Sequence, residues 1–190
     1  LPASILYFIP KTEPEQHKTF VFQTVVLLEV VGVIFAAFTF LSAPLFARQF
    51  NNPALVPLIR IFSIYPLFSL PPKLVNMLLI AREQPIYSTV FSILYSVLLI
   101  IFNTAPSLLG LPLEYTLYGA NLGSIIFAAG MLIFLLRTYR GQTFRWDFKL
   151  LKSQVIYSGL LGLSSVLGMI SSQLNRVIVS SSFSTETYAV

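Results

Sequence analysis

Five stretches of this 190-residue chain are apolar for twenty residues or more and almost free of charge, and that restricts the fold more than any other feature. They run from about Thr19 to Ala47 (span A), Leu55 to Ala81 (span B), Ile86 to Leu108 (span C), Tyr115 to Leu136 (span D) and Gln154 to Ser181 (span E). About 20 apolar residues are needed to cross a hydrocarbon core of about 30 Å, and buried helices of water-soluble proteins are seldom that apolar for that long. Only 10% of the residues are charged, against about a quarter in a soluble domain, and the mean hydropathy is +0.81. The chain therefore reads as an integral membrane protein. Its spans must be helices, since unpaired backbone is not tolerated in lipid and barrel strands are only about 10 residues long with alternating polarity. The fold class is all-α, a multi-pass helical bundle. The opening "LPASILYFIP" reads as the end of a further span, and the whole as an internal piece of a longer protein.

Charge placement predicts topology. Lys11, Lys18, Arg82, Arg137, Arg140, Arg145, Lys149 and Lys152 fall in "KTEPEQHK", "REQP" and "RTYRGQTFRWDFKLLK", whereas the alternate connections hold only Arg48. Residues 11–18, 82–85 and 137–152 are thus expected on the cytoplasmic side, with A, C and E running outward. Residues 1–136 read as one bundle, 137–153 as a basic linker and 154–190 as the start of a second bundle. Phe144, Trp146, Phe148, Leu150 and Leu151 among the linker's basic residues suit a membrane surface. The lone histidine, His17, is expected to be solvated. With no cysteine, these residues hold no disulfide or thiolate site. Asp147 is the only aspartate, the outer connections are short, and an enzyme is not expected.

Polar groups inside lipid are costly and mark function or tight pairing. Glu29 lies about ten residues into span A and Lys73 about eight from the inner end of span B, roughly 12–13 Å deep in each case. Opposed at one depth on adjacent helices, they are expected to face each other across a polar interior; the alternatives are a static pair, or a protonated Glu29 bonded to neighbouring backbone. Span B carries Pro57, Pro66, Pro71 and Pro72, so it should kink or break near "SLPPKLVN". That break either presents backbone to a substrate path or accommodates neighbouring helices. Ser88, Ser92 and Tyr95 share one face of span C. In span D, Gly119 and Gly123 of "GANLG" form a small-xxx-small pattern that brings helix backbones together. Span E bears a stripe of Ser158, Gly162, Ser165, Met169, Ser172 and Arg176, with Gln173 and Asn175 beside it, for packing or for lining a wet cavity.

"YFIPKTEPEQHKTF", "FNNPALVPLIRIFSIYPLFSLPPKLVNMLLIAREQP" and "YSGLLGLSSVLGMISSQLNRVIVSSSFSTETYAV", in this order, resemble the polysaccharide repeat-unit flippases. These are the Wzx-type branch of the MATE-related superfamily of multidrug, oligosaccharidyl-lipid and polysaccharide exporters. The resemblance covers the whole chain and aligns it with the family's second to seventh helices. It implies two bundles around a central cavity that opens alternately to each side of a cell membrane. The implied cargo is an oligosaccharide on a polyprenyl pyrophosphate, flipped to the outer leaflet for cell-surface polysaccharide or lipopolysaccharide synthesis. Arg60, Lys73 and Arg176 would then meet phosphates; Asn76, Ser92, Tyr95, Gln173 and Asn175 would meet sugars. Glu29 would offset positive charge or couple transport to protons. The implied partners are the bilayer, the lipid-linked oligosaccharide, protons or sodium, and the polymerisation machinery, with no cofactor and no nucleic acid. A cation-coupled drug antiporter of the same superfamily is the alternative, and a membrane glycosyltransferase or polymerase the reading from another class.

Overall fold

The structure, a computed structural model, describes residues 2–182, and their side chains through residue 169. A short helix α1 (Ser4–Phe8) leads through two 3-10 turns (Ile9–Lys11 and Pro14–Gln16) into α2 (His17–Gln49). Then follow α3 (Leu55–Phe62), α4 (Tyr65–Ser69), α5 (Pro72–Ala81), α6 (Pro85–Leu108), α7 (Leu113–Thr138) and α8 (Phe148–Ser182). Among the described residues, five helical stretches are long and apolar enough to cross a membrane: 14–49, 55–81, 85–108, 113–138 and 148–169. The first four coincide with spans A to D and the fifth overlaps span E, and the protein is a multi-pass helical membrane protein. The chain falls into two compact units, residues 1–147 and 148–190.

The first unit is polar at places inside and oily outside, as lipid demands. Gln23, Thr24 and Ser124 are fully buried, whereas Ile34, Phe38, Leu41 and Leu45 of α2 and Ile86, Leu94 and Ile100 of α6 are exposed. Its core gathers at one end. Ile5 and Ile9, Phe20 and Val21 at the start of α2, Leu74, Val75 and Leu78 of α5, and Leu135 and Tyr139 at the end of α7 are all buried. That end carries the segments expected on the cytoplasmic side.

Helix ends follow one pattern. After α2, α5 and α6 the residues Asn51, Glu83 and Gly110 adopt left-handed backbone, with φ of 48°, 58° and 68°. The next amide reaches back to the carbonyl of Ala47, Leu79 and Pro106 respectively, at 2.9, 2.9 and 3.0 Å. Each is a Schellman cap that satisfies carbonyls otherwise stranded at the helix terminus.

The predicted small-residue contact is present. A Cβ on Gly119 would collide with the carbonyl oxygen of Phe102, and one on Gly123 would sit 3.2 Å from the Phe102 Cβ and 3.3 Å from Leu98. Bare glycine backbone is what lets α6 and α7 pack here. A second close approach has no counterpart in the expectations: Gly32 of α2 leaves room for α4, its would-be Cβ lying 3.2 Å from Leu67 Cα.

Span B is broken twice rather than once. The expected break falls at Pro71 and Pro72, and another separates α3 from α4 at Ser63 and Ile64, just ahead of Pro66. Proline lacks the amide that would have bonded the carbonyl four residues earlier, so Phe62, Leu67 and Phe68 lose their ladder partners.

His17 differs from expectation. It is half-buried, and its Nε2–H is shared between the carbonyls of Ile9 at 3.1 Å and Thr12 at 2.9 Å. Carbonyls only accept, which fixes the proton on Nε2; the ring closes the loop into α2. The stretch read as a linker divides three ways: Arg137 and Thr138 finish α7, 139–147 belong to the first unit, and Phe148 onward is α8.

The second unit is α8. Three of its serines bond carbonyls within their own helix, Ser153 to Lys149, Ser164 to Leu160 and Ser165 to Leu161, at 2.9–3.0 Å, whereas the buried Ser158 hydroxyl has no such partner among the described residues. A Cβ on Gly159, Gly162 or Gly168 would touch nothing within 4 Å.

Candidate functional site

The breaks in span B set the geometry of the candidate site. At the first, Ser63 Oγ donates to the Arg60 carbonyl (2.6 Å), and Asn121 of α7 donates its side-chain amide to the Ile61 carbonyl (2.9 Å). Asn121 lies between the two packing glycines of "GANLG" and is 6% exposed. The expectations assigned that motif to packing alone. The signal for the amide was present: an asparagine in an otherwise apolar span must find a partner, and a broken neighbouring helix offers carbonyls.

At the second break the helix restarts as α5, with Lys73 in its first turn. Leu74, Val75 and Leu78 are fully buried, and this orientation turns Lys73 to the exposed side. One turn on, Asn76 is held by α6, where Ser88 Oγ donates to its Oδ1 in a short hydrogen bond. Ser88 is buried; Ser92, a turn further, is half-buried. Tyr95 is half-buried too, its ring 4.6 Å from that of Phe127 on α7 and its hydroxyl beside Tyr65 of α4. The polar face of span C therefore meets α4, α5 and α7, and Asn76, Ser88, Ser92 and Tyr95 share one seam.

The other candidates lie apart from that seam. Arg60 is exposed, its guanidinium 4.9 Å from the centre of the Phe40 ring on α2. Glu29 is half-buried on α2, one turn before the Gly32 contact with α4. Among the described residues Glu29 and Lys73 form no direct ion pair. The helix restart at Pro72 sets which way Lys73 turns. Side chains of Gln173, Asn175 and Arg176 lie outside the described residues.

At the packed end, residues 139–147 are strapped to the start of α2. Lys18 Nζ donates to the Gln142 carbonyl, the Arg145 amide donates to Thr19 Oγ1 (3.2 Å), and Gln23 donates to the Asp147 carbonyl (3.0 Å). Phe22 meets the rings of Tyr139 and Phe144 at 6.4 and 6.5 Å. Arg82 sits 4.9 Å over Tyr139, which is 1% exposed. Burial pushes the Tyr139 phenol above its ordinary range, and Arg82 opposes the shift. No partner of full hydrogen-bond geometry reaches the hydroxyl, so we ascribe the arginine's influence mainly to its charge.

Residues 1–190 match the profile of the polysaccharide biosynthesis protein family, over the whole chain. The chain belongs to that family. Comparisons with curated proteins and with solved structures found no match. For a polysaccharide biosynthesis protein with five membrane-crossing helices, the seam of amide, hydroxyl and phenol groups beside a broken helix has the donor and acceptor types that sugars require.

Proposed function

We propose that this polysaccharide biosynthesis protein is a flippase of the Wzx type, within the MATE-related exporters, carrying a polyprenyl-pyrophosphate oligosaccharide to the outer leaflet of the cell membrane. The carrying observation is the family match across all 190 residues of a multi-pass chain. In this reading the work is relocation of a lipid-linked glycan and not bond chemistry. Residues 11–18, 82–85 and 137–152 face the cytoplasm, which agrees with the positive-inside bias and with the strap that ties 139–147 to Lys18, Thr19 and Gln23.

Lys73 and Asn76 are the residues we assign to cargo on the first unit. They stand one turn apart, at a helix start where prolines have removed backbone partners. Lys73, exposed and without an ion pair among the described residues, supplies a cation for phosphate, and Ser92 and Tyr95 supply hydroxyls for sugar. We assign Arg60 of the first unit and, on α8, Gln173, Asn175 and Arg176 to cargo as well. Glu29 serves charge balance or proton coupling. Protons or sodium drive the cycle, and the polymerisation machinery receives the product.

The test is translocation of a lipid-linked oligosaccharide in vesicles carrying Lys73→Ala or Glu29→Gln. Lys73→Ala is expected to cut transport about tenfold, the worth of one charge-assisted contact. Undiminished transport by both variants at normal expression would remove these residues from the cargo path.

A further inference from the structure

The outer end of the first unit holds a pocket that none of the proposed cargo residues touches. Its volume is about 490 Å³, and Pro44, Ala47, Arg48, Asn51, Pro53 and Val56 line it. Small-molecule pockets run from about 300 to 1,000 Å³, so the space suits a headgroup. The walls are rigid and apolar. Pro44, Ala47, Pro53 and Val56 offer no side-chain hydrogen bonds, and two of them are prolines with fixed φ.

The polar groups are few and uncommitted. Arg48 makes no hydrogen bond or ion pair among the described residues, and neither does the side chain of Asn51. No carboxylate lines the pocket. The negative end of α2 would ordinarily disfavour an anion here. Its last carbonyls are instead consumed by the Schellman cap, where Asn51 and Asn52 amides bond Arg48 and Ala47 at 3.1 and 2.9 Å. That cap holds Asn51 in left-handed backbone at the pocket's edge. Asn52 Oδ1 receives the Ala54 amide at 3.1 Å, which holds the turn into α3.

Depth gives the ligand class. The 33 residues of α2 span about 50 Å at 1.5 Å each, well beyond a hydrocarbon core of about 30 Å. Arg48, next to its last residue, therefore stands at headgroup level, where lipid phosphates are found. A guanidinium recognises phosphate oxygens through paired N–H donors. The apolar walls accommodate the first carbons of the chain below.

We propose that this pocket binds a lipid-borne phosphate at the outer leaflet, with Arg48 as its anchor and the side-chain amide of Asn51 as a second donor. The site does not depend on the flippase reading, because it requires binding and no translocation. Its natural occupants are the polyprenyl phosphate carrier or an anionic phospholipid, and the experiment separates them.

Equilibrium binding of radiolabelled polyprenyl phosphate and of phosphatidylglycerol is measured on the full chain in phosphatidylcholine nanodiscs. Arg48→Ala is expected to weaken binding about tenfold or more. Arg48→Lys should lose less, and Arg140→Ala, at the opposite end, should bind as the parent does. Val56→Trp fills the pocket while keeping the arginine, and should weaken binding as well. Preference for polyprenyl phosphate marks a carrier site, and equal binding marks a general lipid-phosphate site. Binding by Arg48→Ala and Val56→Trp at the parent's affinity would overturn the proposal.

Discussion

At the scale of single residues, glycine and tyrosine give the sharpest tests. Gly119 lies against a backbone oxygen, which cannot swing aside as a side chain can. Gly119→Ala should therefore destabilise the detergent-solubilised protein by about 1–3 kcal/mol, the usual range for overpacking. Gly130→Ala, on the same helix with nothing within 4 Å, should be neutral in the same thermal unfolding assay. Tyr139 makes a pH prediction. Its folded-state pKa is raised above the unfolded value of about 10, so an unfolded chain loses that proton before the native state does. The stabilisation is whole below pH 10 and drains away as pH climbs through the folded value. Chemical unfolding between pH 9 and 11 should show a steeper loss for the parent than for Tyr139→Phe. Individual side chains were only partly legible beforehand. Gly119 and Gly123 could be read because their spacing is the signal, whereas the exposed side to which Lys73 turns could not. Counting residues along a helix measures depth, but which way a side chain turns is decided by neighbours that no local pattern records.

At the scale of elements, the seam between α5 and α6 rests on Asn76 and Ser88, whose hydrogen bond joins two spans inside the membrane. Interhelical hydrogen bonds of this kind average about 0.6 kcal/mol and reach about 1.7. A double-mutant cycle of Asn76→Ala and Ser88→Ala, read by unfolding, should return a coupling in that interval; additive losses would mean the two side chains act separately. Spans A to D were legible to within a few residues, because length and hydropathy are set by bilayer thickness, whereas the helix of span E begins at Phe148, ahead of the expected Gln154. The break at Pro71 and Pro72 was legible for an equally local reason. The break at Ser63 and Ile64 was less so, since Pro66 permits either a kink or a rupture. Asn121 on another helix helps by bonding a carbonyl at that break. Ser165 of the α8 stripe looked like a candidate for packing or for a wet surface, yet its hydroxyl is satisfied within its own helix, an option sequence spacing does not exclude.

At the scale of the whole molecule, sidedness is the property that charge counting addresses most directly. The absence of cysteine makes it simple to test. Thr143→Cys in the strap and Asn52→Cys at the Arg48 pocket should react with a membrane-impermeant maleimide from opposite faces of intact cells, Asn52→Cys from outside. Labelling of Thr143→Cys from outside with Asn52→Cys protected would reverse the assigned topology. The family was legible from the order of the motifs across the chain, and the profile match extends from residue 1 to 190. The cargo cavity is less legible, because a pathway is enclosed by surfaces drawn from many helices and no one span encodes it. The twofold interruption of residues 55–81 has a mechanical corollary. An intact helix must tear ladder bonds to bend, but here the prolines have already given those bonds up, so α3 and α5 can tilt about α4 by torsion alone. Span B is thus a limb with two joints, and on the proposed flippase reading such an articulation would serve to admit a bulky headgroup and then shut behind it.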